Sequence, residues 1–548
     1  NFYMSNKIAE YLREHVSGEV SSDSRTLDFF STDGSVLTVA PRLAVYPKNA
    51  QDVRKVLRFC WRLAEKGTIL PITARGSGTD QAGGALGDGI ILTLPAHINK
   101  LLSLDAKTGL VTVQPGINYR SLQTTLNSHG LFLPPYPSSI DYSTIGGAVA
   151  NNASGVRTVK YGDTRQMTKA LDVVLSNGDT IYTTRLSKKE LAKKKSLHTF
   201  EGEIYRQVDD LIHEVGDFLE QSELGTTKNS SGYALSQVVG KDGSFDLTPL
   251  IVGSQGTLGV VTAAQLQASL HNTNSSMIMV GLTRLEDLSE LNLNTLSLTP
   301  SALEIVDKNL LNQVHKLQPN QLNGLLEEPY PNFILIVEFD DQKEKDQAKK
   351  VKRFKAFAED VEATILAETN DPDDREKIWQ VRNSAAIIMG EVHSGKAAVP
   401  IIEDGCVPPG NFTKLISGTY SLFSKYNLDV AVWGHAGDAN IHLQPMLNLS
   451  ILGDRQKAFK IMDAYYGLVL DLGGTISGEH NDGRLRAPYM KTMYPASIYE
   501  AFARVKQIFD PYNILNPGVK FGTTKEDLVL MMRHEFESAH WRKRLPMS

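Results

Sequence analysis

The sequence is short of cysteine, of long apolar runs and of any excess of positive charge. Its 548 residues hold two cysteines, Cys60 and Cys406. Two thiols cannot build a disulfide framework, a Cys-ligated zinc site or an iron–sulfur centre from this chain alone. A reducing compartment suits them best. No run of about 18 apolar residues occurs, so no spanning helix is predicted. Lysine and arginine number 57 against 62 aspartate and glutamate, and no basic face points to nucleic acid. The N-terminus shows no signal-peptide pattern, and with Met4 as the start residues 1–3 read as a cloning remnant. Trp541-Arg542-Lys543-Arg544 form a short basic tail, read as a solvated end, with a membrane surface or partner contact as the alternative. The expectation is a cytoplasmic protein, peripheral at a membrane at most.

What is present suits several packed cores: 41% of residues are hydrophobic and 22% charged. At about 100–200 residues per domain, the length suggests two to four domains or subdomains. Apolar spacing predicts a helix over 5–16, a strand over 43–47 and a helix from an Asn49 cap to about Lys66. From 68 to 183 the text is β-like and punctuated by turns, with helices at 118–129 and near 203–216. The charged run 187–195 reads as a solvated helix or loop. From about 270, strands (276–282, 333–339, 429–434) alternate with helical stretches (284–295, 341–358, 374–390, 452–472). This pattern predicts an α+β layer with helices on one face of an antiparallel sheet. A last helix spans 495–509.

Two constellations carry chemistry. In the first, a strand at 71–75 feeds Gly76-Ser77-Gly78-Thr79, followed by Gly83-Gly84. Such a loop can turn successive amides into one concavity that holds a pyrophosphate. It is not Gly-x-Gly-x-x-Gly opening a helix, so a Rossmann site is not supported. In the second, residues 434–442 read Gly-His-Ala-Gly-Asp-Ala-Asn-Ile-His. A hairpin would bring His435 and His442 together. Glu479 in Gly478-Glu479-His480 would add a carboxylate, giving a His₂-carboxylate set with open positions, which is a catalytic arrangement.

The cradle is followed in order by Thr144-Ile145-Gly146-Gly147, Lys160-Tyr161-Gly162 and Gly253-Ser254-Gln255-Gly256-Thr257-Leu258-Gly259. Together these segments resemble the FAD-binding domain of the vanillyl-alcohol oxidase / p-cresol methylhydroxylase (PCMH) type. The resemblance implies FAD, with Arg75, Gly76, Ser77, Gly78, Thr79, Gly146 and Gly147 around its pyrophosphate and ribityl chain. Ser143, Asn152, Ser154 and the backbone at Val260 would lie near the flavin or adenine. The loop has no His or Cys where covalent relatives link the flavin, so noncovalent FAD is expected. Two departures stand out: Gln255 where an acid is usual, and Asp80 where a small or apolar residue is common.

The two histidine-bearing motifs resemble cap-domain signatures of the D-lactate, glycolate and D-2-hydroxyglutarate dehydrogenases. That likeness implies His435, His442 and Glu479 as ligands of a divalent metal, zinc first and manganese or iron as alternatives. It makes His480 the catalytic base and Arg382 the clamp for the substrate carboxylate, with Lys396 a second carboxylate contact and Asn516 near the flavin ring. Ala439 and Asn481 each replace a usual Gly. The implied fold is α+β: a two-subdomain PCMH-type FAD-binding domain at 31–270 behind an N-terminal helical segment at 1–30. An antiparallel-sheet cap at 271–508 would carry substrate and metal, and a segment at 509–548 would return to the FAD domain. The implied activity is oxidation of a small D-2-hydroxy acid (D-lactate, D-2-hydroxyglutarate or glycolate) to the 2-oxo acid by hydride transfer to flavin N5. Electrons would leave to an external acceptor: a quinone, a cytochrome, a flavoprotein or a separate iron–sulfur subunit, since the appended iron–sulfur segment of long relatives is not seen. A flavin-dependent transferase of the alkyl-glycerone-phosphate synthase branch and a non-catalytic flavoprotein subunit are the rival readings. A homodimer is left open.

Overall fold

The computed structural model describes residues 2–219, 223–390, 392–393 and 395–536. The basic segment at 541–544 lies outside the described residues.

The N-terminal half holds two sheets. The first orders its strands Glu19–Ser21, Leu43–Tyr46, Ile90–Thr93, Ile72–Arg75. The contacts of Ile90–Thr93 with both neighbours are parallel, and parallel neighbours need a crossover. The helix Ala50–Glu65 lies between Leu43–Tyr46 and Ile72–Arg75 in the chain. Its buried Val53, Val56, Leu57, Cys60 and Ala64 follow helical spacing, and the Asn49 side chain accepts from the Asp52 amide to start it. The second sheet is antiparallel, in the order Leu101–Asp105, Leu110–Val113, Val260–Gln267, Thr168–Val174, Thr180–Thr183. Val260–Gln267 sits at its centre although it follows its neighbour Thr168–Val174 by more than eighty residues. The glycine-rich turn 253–259 is thereby delivered into the middle of the N-terminal half.

The C-terminal half is built on an antiparallel six-stranded sheet ordered Thr364–Thr369, Ser276–Leu282, Phe333–Phe339, Ala302–Asp307, Trp433–His435, Asn440–His442. Helices cover both faces, not the single face expected. Ile278, Val280, Leu303 and Val337 pack in one core with Leu288, Leu291, Phe354 and Leu415. Met277, Met279, Val306 and Ile336 pack in another with Leu310, Val314, Ile378 and Ile388. This explains why the central strands read as continuous apolar runs instead of alternating. The predicted strand 429–434 is shorter, with pairing confined to Trp433–His435. The stretch 374–390 is two helices, Pro372–Asn383 and Ala385–Gly390. At 187–195 the charged run is an exposed helix, Lys188–Lys195, closed by a capping box from Ser187 and Glu190.

The chain then comes back to the first sheet. The Ile72 amide donates to Ile514 O and the Asn516 amide to Ile72 O. The two halves are also tied by ion pairs: Arg157 forks onto both oxygens of buried Glu338, and Lys160 and Tyr161 both bond Asp340.

Candidate active site

A cavity of about 700 Å³ opens between the halves, lined by Thr79, Asp80, Ser143, Gly147, Arg382, His435, His442, Glu479 and His480 among others. A narrower cavity of about 100 Å³ follows the loop Arg75–Asp80 and Thr144–Gly147. Both share Thr79, Asp80, Gly147 and Asn151 in their walls, so the glycine cradle and the histidine cluster face one continuous space.

The cradle has the features of an anion site. Among the described residues, the amides of Gly76, Ser77, Gly78 and Thr79 meet no acceptor. A Cβ on Gly76 would fall 2.4 Å from Thr144 Oγ1, so the backbone can come this close only without a side chain. Buried Ser143 Oγ has no protein partner. Four free amides and an unpaired hydroxyl gathered around one space suit a bound ligand. These residues fit the phosphates and polyol of a dinucleotide.

Other predicted contacts are occupied by the protein itself. Arg75 turns its guanidinium away, onto the carbonyls of Phe30, Thr32 and Ala85, and lies over the Phe30 ring. Its role here is to brace the loop's base, leaving the cradle to backbone amides. Gly146 donates its amide to Pro115 O. Asn152 bonds Asp163 and the Arg165 amide. Asn516 spends its whole amide on Thr73, Gly84 O and Gln255 O. Val260 is buried in the sheet core, while its neighbour Val261 reaches the narrow cavity. The two unusual residues of the flavin half meet: Gln255 Nε2 donates to Asp80 Oδ2 at 3.2 Å and to Asn151 Oδ1 at 3.0 Å.

The histidine cluster is assembled by the predicted hairpin. Trp433 pairs with His442 and His435 with Asn440, so the residues at 433, 435 and 442 share a face. Each imidazole is anchored at Nδ1, His435 by Glu304 Oε1 at 2.7 Å and His442 by the Glu403 carbonyl at 2.7 Å. Both Nε2 atoms then point at Glu479 Oε1, each at 3.2 Å. An imidazole fixed at one nitrogen by a carboxylate or carbonyl presents the other as a metal ligand. His480 stacks on His442 with ring centroids 5.4 Å apart, and its Nε2 lies 3.6 Å from Glu479 Oε1. Ligand atoms of Asp404, His442, Glu479 and His480 fall within 4.8 Å of one another. Asp404, however, spends both oxygens on the amides of Glu479 and His480, so it orders the loop that carries them, and His435 completes the set better. These residues fit a divalent cation.

Carboxylates outnumber fixed cations around the cluster, with Glu304, Glu403, Asp404, Asp438 and Glu479 against Lys228, Arg382 and Arg486. Burial works against the charge on Glu479, yet Lys228 and His435 hold it well below the usual carboxylate range. Burial lowers His442. Burial opposes charge on His480 as well, but Asp404 and Glu403 outweigh it and push it up to about 9. A dication seated on these ligands offsets that excess of negative charge. Arg382 gives its Nε to Glu304 Oε2 at 2.7 Å, and its terminal nitrogens find no acceptor among the described residues. Lys396 is exposed at the start of the strand Lys396–Ala398 and lies outside the lining of this cavity.

Four residues that the sequence reading passed over hold the cluster: Glu304, Lys228, Glu403 and Asp404. Glu304 carried a visible signal, an acid inside the otherwise apolar stretch Ala302–Val306. Lys228 carried none. Its Nζ lies 2.8 Å from Glu479 Oε2 across 251 residues of chain.

Comparison with known proteins decides the lineage. A model described as the C-terminal domain of FAD linked oxidases matches residues 273–519, and one described as an FAD binding domain matches residues 41–184. The chain thus carries both an FAD binding domain and the C-terminal domain of FAD linked oxidases. It is 27% identical to D-2-hydroxyglutarate dehydrogenase of Pseudomonas putida over 511 residues, covering 91% of this chain and 50% of that protein. It is 27% identical to D-lactate dehydrogenase of Archaeoglobus fulgidus over 501 residues, covering 90% and 95%. The chain therefore spans half the length of the first relative and nearly all of the second. In fold the chain is similar to p-cresol methylhydroxylase with substrate bound, at a TM-score of 0.66 and 15% identity, covering 94% and 96%. The PCMH-type α+β architecture expected from the motifs is the one observed. Among the described residues no helix is long and apolar enough to cross a membrane.

Proposed function

We propose that this protein is an FAD- and divalent-metal-dependent dehydrogenase that oxidises a D-2-hydroxy acid to the 2-oxo acid. The observation that carries the reading is the convergence of His435 and His442 Nε2 on Glu479 Oε1 in the wall of the space that the glycine cradle opens onto. The names of the relatives, D-2-hydroxyglutarate and D-lactate dehydrogenase, support the substrate class.

Oxidising the carbinol removes one proton from the hydroxyl and a hydride from carbon, leaving C=O. Bound FAD supplies the two-electron acceptor and a bound divalent cation the Lewis acidity toward the hydroxyl. The protein's own groups do the rest. Arg382 has Nε pinned by Glu304, so its free terminal nitrogens form a fork for the substrate carboxylate. His480 sits beside the ligand set, held at Nδ1 by Glu403 Oε1 at 3.2 Å, and takes the hydroxyl proton. The enclosure between the halves limits water access to the reacting carbon. The substrate is a 2-hydroxy acid of the D-lactate, D-2-hydroxyglutarate or glycolate kind, the flavin is held without a covalent link, and an external quinone, flavoprotein or iron–sulfur subunit receives the electrons.

Anaerobic mixing with a panel of D- and L-2-hydroxy acids tests this. At least one D-acid should bleach the flavin absorbance and its L-enantiomer should not. His480→Ala should keep FAD yet slow bleaching by about 10²–10⁴-fold. Full-rate bleaching in that variant would reject the assigned base, and full-rate bleaching by verifiably metal-free protein would remove the cation.

A further inference from the structure

The two oxygens of Glu479 are used unequally. Oε2 takes a hydrogen bond from Lys228 Nζ at 2.8 Å and another from Ser154 Oγ at 2.9 Å. Oε1 alone faces the imidazoles of His435, His442 and His480. Lys228 is placed with little freedom. Its side chain is 1% exposed, its Nζ lies 3.6 Å from Asp438 Oδ2, and the hydroxyl of the preceding Thr227 donates to Asp438 Oδ1 at 2.7 Å. Asp438 belongs to the turn that joins the two histidine strands. One dipeptide from the flavin half thus clamps both the hairpin and the carboxylate of the cap.

Resting on the metal reading above, we propose that Lys228, with Ser154, is a positioning residue that sets ion selectivity by keeping Glu479 a one-oxygen ligand. A carboxylate with both donors on one oxygen cannot turn to grip a cation with two. Small ions with nitrogen ligands accept a single carboxylate oxygen. Calcium takes six to eight oxygens and gains from two-oxygen carboxylates. Loss of the ammonium therefore helps calcium more than zinc. A role in charge balance alone would behave differently: Zn²⁺ and Ca²⁺ carry equal charge, so both affinities would move by the same factor and their ratio would stand.

The test is ion titration of FAD-loaded, metal-stripped protein with Zn²⁺ and Ca²⁺, comparing the native chain, Lys228→Met, Ser154→Ala and His435→Ala. Lys228→Met should retain FAD and narrow the zinc-over-calcium preference by about tenfold or more, and Ser154→Ala should narrow it by about threefold. A Lys228→Met protein that keeps its flavin and its ion preference overturns the proposal. If Lys228→Met cannot hold flavin, Ser154→Ala decides alone, and an unchanged preference there overturns it. A native chain without a zinc site sensitive to His435→Ala fails the metal reading itself and this inference with it.

Discussion

Asp80 and Gln255 show how two departures can be one adjustment. Taken singly, each breaks the pattern of the flavin half. In space the acid has moved from one side of a contact to the other, and Gln255 donates to the Asp80 carboxylate while accepting from the Gly483 amide. Gln255→Glu should place two carboxylates face to face and cost about 1–3 kcal/mol. Adding Asp80→Asn should recover most of that loss, because one acid then again meets one amide. Thermal melting and flavin content of the three proteins measure the coupling, and simple additivity would disprove it. Ala439 and Asn481, which replace usual glycines, both sit at positive φ, 49° and 68°. Asn tolerates that region through its short polar side chain, whereas Ala carries strain there. The chain keeps the turn between the two histidine strands at a small local cost.

At the scale of elements, the strand Ala302–Asp307 links chemistry to stability. Its Glu304 orients His435 and Arg382, and its last residue, Asp307, caps the helix Lys308–Leu317 by accepting from the Leu310 amide. Burial pushes the Asp307 carboxyl up to about 7, outweighing that amide and the Tyr420 hydroxyl. A carboxyl raised in the fold and near 3.9 in the unfolded chain favours the native state at low pH. That contribution is complete below pH ~4 and is lost as pH climbs through 7. Asp307→Asn removes the titration. Relative to the native chain, the variant should gain stability between pH 4 and 7, by about 1.4 kcal/mol per unit at most, and hold a constant difference above. Melting curves across that range test it, and a flat difference would show an ordinary carboxyl. The boundary between Pro372–Asn383 and Ala385–Gly390 was not visible beforehand, because both parts carry the same apolar spacing and only packing against the sheet separates them.

For the whole molecule, buried ion pairs hold the cap on the N-terminal half. Glu338 is buried, and despite that burial the Arg157 guanidinium holds it below its ordinary range. Arg157→Met would leave this acid with only the hydroxyls of Ser275 and Ser301. A buried charge stripped of its partner costs about 3–5 kcal/mol. Chemical denaturation of the FAD-loaded protein should show that loss, and Arg157→Met combined with Glu338→Gln should regain a large part of it. Equal stability of the Arg157→Met protein and the native chain would show that the pair does not secure the docking. The active-site groups come from both halves, so a looser docking should also lower FAD retention.

Local pattern alone was enough for most element types, the antiparallel cap sheet, the glycine loop and the hairpin that joins His435 to His442, because each depends on spacing and backbone preference within a few residues; the strands Ala302–Asp307 and Thr364–Thr369 were not read from it. Proximity of Glu479 to those histidines was read from the donor set on its Gly-Glu-His loop and sharpened by likeness to known motifs, since no local periodicity records it. Which face of a strand is covered, where Arg75 turns its guanidinium, and why Lys228 and Glu304 matter were decided by tertiary contacts. Buried charges find their partners across tens to hundreds of residues, and no periodicity records such pairings. The apolar character of the sheet marked it as buried, but only the packed structure showed helices on both of its faces.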